Sequence, residues 1–180
     1  MLILVRHALP IIQPGHPAAE WQLSEDGRIR TRELAEKLRA YQPDIVVASQ
    51  KPRAAETGRI VADLLGLPYE TAENLHEHER GSEFVSRERF QEQIEAFFER
   101  PTELVFGLET AEQALERFES AVSQVIGRHP NKNIILATHG TVITLFVAAH
   151  NPDIAPLPFW QQLQMPDYIM LRRPSFKLPL

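Results

Sequence analysis

The chain has 180 residues, 43% of them hydrophobic, enough to bury a core and few enough for a single domain spanning 1–180. Its formal net charge of −5 excludes the broad basic surface that nucleic acid or anionic lipid would require, so any anion it binds is held by a local pocket. It contains no cysteine, which excludes disulfides, thiolate nucleophiles and thiolate zinc sites.

Met1 to Arg6 opens with an apolar run too short for a signal peptide and without a basic leader, and no stretch approaches the ~20 apolar residues that cross a bilayer. A soluble, cytoplasmic protein without membrane contact is the expectation. Three runs are continuously apolar rather than alternating: Leu2–Val5, Ile45–Ala48 and Ile134–Ala137. Strands covered on both faces read this way, as in a parallel sheet between helices. Leu34, Ala35, Leu38 and Tyr41 predict a helix from about Gly27 to before Pro43. A second should follow Pro52 and end at Gly66. Residues 81–107 break the alternation; Phe90, Ile94, Phe97 and Phe98 fall at helical spacing there, and the stretch is expected to cap the sheet's edge as a short insertion. The clearest helix runs from Thr110 to Gly127, with Thr110 and Gln113 as a capping box. A fourth helix should follow Gly140, and Phe159–Met165 with Tyr168–Leu171 around Pro166-Asp167 looks like a closing hairpin. The expected architecture is a three-layer α/β/α domain with a mostly parallel central sheet.

In an open parallel sheet, ligands bind beyond the carboxyl ends of the strands. After the first run come Arg6-His7-Ala8, after the second Ser49-Gln50-Lys51-Pro52-Arg53, and after the third Thr138-His139-Gly140. Two guanidinium groups and two imidazoles would thus converge in an acidic protein, where they need an anion among them. Phosphate fits, because arginine donors match its oxygens in pairs and a helix starting at Gly140 offers backbone N–H groups and a positive dipole end. Histidine adds nucleophilicity: a neutral His7, kept unprotonated by Arg6 and Arg53, can attack phosphorus, and a charged His139 would steady the equatorial oxygens. The leaving oxygen needs a proton, and Leu75-His76-Glu77-His78-Glu79-Arg80-Gly81 offers Glu77 and Glu79.

In order, Arg6-His7, Leu23-Ser24-Glu25-Asp26-Gly27, Ser49 to Thr57 (S-x-x-x-R-A-x-x-T), Leu75-x-Glu77-x-x-x-Gly81 and Thr138-His139-Gly140 resemble the motifs of the histidine phosphatase superfamily, also called phosphoglycerate-mutase-like. The resemblance spans essentially the whole chain. It implies His7 as the phosphorylated nucleophile, Glu77 rather than Glu79 as proton donor, Arg6, Arg53, His139 and Gly140 around the phosphate, and no metal or cofactor. The chain departs from the pattern at Ala8, where glycine is usual, so the turn after His7 must be one that an ordinary residue tolerates.

Two other classes compete. His76 and His78 at alternate positions could join His7 and His139 on a metal, but no bridging carboxylate pair is present and two arginines would repel a divalent cation; surface histidines near the pocket mouth are the preferred reading. A phosphate- or protein-binding module that has lost catalysis would be expected to lack the nucleophile or the acid, and both are present. A phosphatase is preferred to a mutase because the 81–107 insertion gives little cover against water. The expected substrate is a small phosphorylated metabolite or a phosphoprotein; Pro10, Ile11, Ile12, Trp21, Phe84 and Phe106 could make the pocket mouth partly apolar. Oligomeric state stays open.

Overall fold

A computed structural model describes residues 1–13, 15–81 and 85–179, with only the backbone at Arg87; Phe84 lies outside the described residues. The elements are β1 (Leu2–Arg6), α1 (Glu25–Leu38), β2 (Ile45–Ser49), α2 (Pro52–Leu65), β3 (Tyr69–Ala72), α3 (Arg87–Glu99), α4 (Ala111–Arg128), β4 (Ile134–Thr138), α5 (Gly140–His150), α6 (Pro156–Gln162) and β5 (Asp167–Leu171). The five strands form one sheet in the order β3-β2-β4-β1-β5. β1, β2, β3 and β4 pair in parallel, and β5 runs antiparallel beside β1.

The three apolar runs are β1, β2 and β4, and the strand period of two divides their side chains between two cores. Leu2, Leu4, Val47, Ile134 and Leu136 pack with Phe118 and Val122 of α4 and Val142 and Phe146 of α5. Ile3, Val5, Val46, Ala48, Ile135 and Ala137 pack with Leu34 and Leu38 of α1 and Val61 and Ala62 of α2. Continuous hydrophobicity follows because both faces are covered, giving the three-layer arrangement expected.

Local signals set most of the helix ends. Ser24 accepts from the Gly27 N–H and starts α1 at Glu25, two residues before the expected point. Gly66 ends α2 in the left-handed region. Both halves of the Thr110–Gln113 capping box are formed.

Two features differ from the sequence reading. β3 was not anticipated; its four residues are mostly half-buried, and Tyr-Glu-Thr-Ala carries no apolar run. The tail is not a hairpin: Pro156 sits in the first turn of α6, where a missing N–H is harmless, and only 167–171 is extended. The insertion contributes one helix, α3. α3 lies against α6, and its Phe97 packs with Ala111, Ala114 and Leu145 on α4 and α5, because its apolar face meets other helices rather than a strand.

Candidate active site

His7 follows the last residue of β1 and extends its pairing, donating its backbone N–H to Thr138 O at 2.9 Å. Ala8 is fully buried and donates its N–H to Thr57 Oγ1 on α2 at 3.1 Å. Among the described non-glycine residues, positive φ occurs at Gln42, Asn74 and Phe176. Ala8 therefore has ordinary backbone geometry, and the departure from glycine is tolerated.

Two fixed partners determine the His7 tautomer. Nδ1 lies 2.8 Å from Ala8 O, which can only accept, and Nε2 lies 2.9 Å from Arg53 Nε, which can only donate. Nδ1 thus carries the proton, and Nε2 is unprotonated, its lone pair accepting the Arg53 N–H. The ring is 6% exposed. Burial, then Arg53 and Arg6, push its pKa down to about 3, against the raising effects of the Ala8 carbonyl and Glu77.

Arg53 stands in the first turn of α2, an unfavourable place for a cation without an anion nearby. It also donates to Ala18 O. Burial lowers its pKa to about 10, with Glu77 opposing and Arg80 and Arg6 adding to the fall, so it stays charged at neutral pH. Arg6 donates through Nη1 to Leu163 O at 2.5 Å, while its buried Nε has no protein partner. The Arg6 guanidinium passes directly over Gly140: a Cβ there would meet Arg6 Nε at 2.9 Å and Cζ at 3.1 Å.

His139 is fully buried beneath His7, with ring centroids 5.1 Å apart in an edge contact. Its Nε2 lies 3.1 Å from Ser49 Oγ, and its Nδ1 has no partner. Burial, then Arg53 and His7, hold its pKa well below the usual histidine value. The ring is therefore neutral here rather than charged.

Glu77 reaches the same place from the loop after β3. Its Oε1 accepts from the His78 N–H at 3.0 Å and its Oε2 from the Thr141 N–H, in the first turn of α5, at 3.2 Å. The helix end expected to face phosphate is thus shared with a carboxylate. Arg80 Nη2 lies 3.4 Å from Glu77 Oε2. Burial alone would raise the Glu77 pKa, but Arg80, the two N–H groups and Arg53 reverse this and hold it at about 2.

Sequence reasoning missed Arg80, a third guanidinium in the cluster, which also donates to Thr141 Oγ1 at 3.1 Å. It missed Arg117 and Glu109 as well. Arg117 of α4 donates to the carbonyls of Asn74 at 2.9 Å, His76 at 3.1 Å and Glu77 at 3.4 Å, and to both Glu109 oxygens at 2.6 and 3.1 Å. Glu109 also accepts from the Glu79 N–H at 3.1 Å. The loop that carries Glu77 is in effect tied to α4.

His76 and His78 both line a smaller cavity beside the site with Arg53, Glu77 and Arg80, but their rings have different surroundings. His78 is 3% exposed, stacks against Phe97 and Phe106 and lies 3.1 Å from Glu109 O. The reading of both as surface histidines is corrected for His78, which the insertion covers; His76 is half-buried near Glu79. No group of three His, Asp or Glu side chains among the described residues is arranged to hold a metal ion. No helix among them is long and apolar enough to cross a membrane.

Arg6, His7, Arg53, Glu77 and Arg80 line one cleft of about 880 Å³ at the carboxyl end of β1. His139 and Gly140 are not among the lining residues and support it from below. The model of the histidine phosphatase superfamily (branch 1) matches residues 2–172. The chain belongs to the histidine phosphatase superfamily.

A curated relative, the "Uncharacterized phosphatase PhoE" of Bacillus subtilis (strain 168), is 26% identical over 121 residues, 67% of this chain and 60% of the relative. The match therefore spans less than two thirds of that relative's length. Bacillus stearothermophilus YhfR superposes with a TM-score of 0.74 at 23% identity, covering 98% of this chain and 94% of that one. A mycobacterial glucosyl-3-phosphoglycerate phosphatase gives 0.74 at 20% identity, covering 93% and 87%. Within the histidine phosphatase fold, the Leu23–Gly27 segment braces the loop after the first strand, since Ser24 donates both its N–H (2.9 Å) and its hydroxyl (3.0 Å) to Leu9 O.

Proposed function

We propose that this protein is a phosphatase that hydrolyses a phosphomonoester, or a related phosphoramidate, in two transfers through His7. The observation that carries the reading is the His7 ring: its tautomer leaves Nε2 unprotonated, 2.9 Å from Arg53 Nε, in a cleft with two further guanidinium groups. A phosphoryl group bound there replaces Nε2 as the acceptor of the Arg53 N–H, and Arg6 and Arg80 add donors to the other oxygens.

In the first transfer Nε2 attacks phosphorus, the ester P–O bond breaks as the P–N bond forms, and the leaving oxygen takes a proton from Glu77. Glu77 is ionised in this structure, with a pKa of about 2. A bound dianion screens Arg80 and Arg53 from it and adds like charge, both of which raise that pKa, so a substrate entering as a monoanion can hand its proton to the carboxylate. In the second transfer water attacks the phosphohistidine and gives its proton to Glu77. The P–N bond breaks back to Nε2, and inorganic phosphate departs. His139 positions the His7 ring from below, and its own pKa rises once the anion is bound.

Three guanidinium groups supply the positive charge a metal would otherwise bring, so no metal is required. A small phosphorylated metabolite is the substrate class that the name of the mycobacterial neighbour supports. Purified protein incubated with p-nitrophenyl phosphate and EDTA should turn over and carry acid-labile phosphate, whereas His7→Ala should do neither. A His7→Ala protein that still turns over would reject the mechanism. Phosphoryl transfer to an added alcohol in place of water would indicate a mutase, and silence of the wild type a binding module.

A further inference from the structure

We infer that the esters this site turns over best carry an uncharged, flat apolar group on the leaving oxygen, an inference that rests on the phosphatase reading and narrows its substrate. The cleft of about 880 Å³ is several times larger than a phosphate group and falls within the size range of sites that enclose whole small molecules. Its charge is confined to one end. Arg6, Arg53 and Arg80 against Glu77 leave a net charge of +2 (three minus one) among the lining residues, which one phosphate dianion neutralises.

Beyond that end the described lining is uncharged. Ile12, Trp21, Phe90, Trp160 and Met165 form the wall, with the amides of Gln91 and Gln161 and the unpartnered indole N–H of Trp160 as its polar groups. A carboxylate or a second phosphate on the leaving group would have to lose water against this wall, where the cation in contact among the described residues, Arg80 over Phe90, is already paired with Glu77. Lys51 does not line this cleft: it lies with Glu79 in a smaller, adjoining cavity that meets the cleft at Ala18, Arg53, Glu77 and Arg80, on the charged side and away from the aromatic wall. Specificity of this kind works by rejection as well as attraction.

The wall is also built in advance. The Phe90 ring sits 6.1 Å from Trp160 and 6.3 Å from Phe106, and the Arg80 guanidinium lies over it at 4.5 Å. Aromatic surfaces fixed by such tilted and edge-on contacts favour a flat ligand. Ile12 stands 61% exposed at the rim, where a ligand's apolar group would cover it. Phe90 comes from α3 and Trp160 from α6, so the pairing of those two helices is what positions the wall.

The test compares primary-alcohol esters of similar intrinsic reactivity: benzyl and 2-phenylethyl phosphate against glycerol 3-phosphate, 3-phosphoglycerate and phosphoserine. The aryl-bearing pair is expected to exceed the others in kcat/KM by at least about tenfold. Trp160→Ala should narrow that ratio, and Gln161→Arg, a change at an exposed position, should shift it toward 3-phosphoglycerate. Equal or better turnover of the charged esters would overturn the inference and leave the phosphatase reading standing. Failure to hydrolyse any of them, or p-nitrophenyl phosphate, would overturn both.

Discussion

At Gly140 a single methyl group would reach the chemistry, since its Cβ would come within 2.9 Å of Arg6 Nε. Gly140→Ala is expected to push the Arg6 guanidinium off the phosphate and lower kcat/KM by on the order of 100-fold, the scale associated with ~1 Å misplacements, with an unchanged unfolding midpoint as the control. Arg80→Gln removes the largest influence lowering the Glu77 pKa. For an alkyl phosphate, kcat/KM should then stay high to a higher pH than in the wild type, and an unshifted profile would argue against Arg80 acting on Glu77. Glu77→Gln should slow alkyl phosphates far more than p-nitrophenyl phosphate, whose leaving group needs little protonation; equal slowing of both would remove Glu77 from that role. Arg6, His7, Arg53 and His139 were legible because each stands within a few residues of the end of a buried apolar run, and strand ends converge by topology alone. Arg80 and Arg117 were not, because what places them is a loop's return path and a hydrogen-bond set reaching up to 43 residues along the chain.

Contacts between whole elements place limits of their own. α2 crosses the sheet so closely that a Cβ at Gly58 would meet the Ala48 Cβ at 2.9 Å and the Ala137 Cβ at 3.2 Å. Alanine favours helix over glycine by about 1 kcal/mol, but those neighbours are rigid, and overpacking of this kind costs about 1–3 kcal/mol. Gly58→Ala should therefore lower stability in urea unfolding, and a gain would show that α2 can shift. Arg117→Gln breaks the buried pair with Glu109, whose side chains are 15% and 11% exposed, at a cost of about 3 kcal/mol. It should also free the 74–79 loop, so poor leaving groups should lose more activity than good ones; uniform loss would make Arg117 only structural. Elements with a complete apolar face or a cap declared themselves in the sequence. β3 and α6 did not: one is a half-buried strand of mixed character, the other a single short helix opened by prolines.

For the molecule as a whole, the site makes folding sensitive to acid. His7 titrates near 6.5 when unperturbed and at about 3 in the fold, and Glu77 near 4.5 and at about 2. In both windows the unfolded chain binds more protons than the folded one, so stability falls as pH drops, from about 6.5 downward through His7 and from about 4.5 downward through Glu77. Each group contributes a slope of up to about 1.4 kcal/mol per pH unit within its window. Urea midpoints measured from pH 7 to pH 4 should decline, and His7→Asn should flatten part of the decline; a level profile in the wild type would contradict the buried neutral imidazole.

The edge strand β3 bears on how copies of the chain meet in concentrated solution. It is four residues long, and its Glu70 carboxylate is held by Arg128 at 3.0 Å and His129 at 3.1 Å. A foreign strand laid along it would find few backbone groups to pair with and would crowd that ionic cluster, so β3 is poorly suited to nucleating aggregates by strand addition. The same mixed, charged character that hid β3 in the sequence thus gives the folded protein a safeguard while its site stays open to solvent.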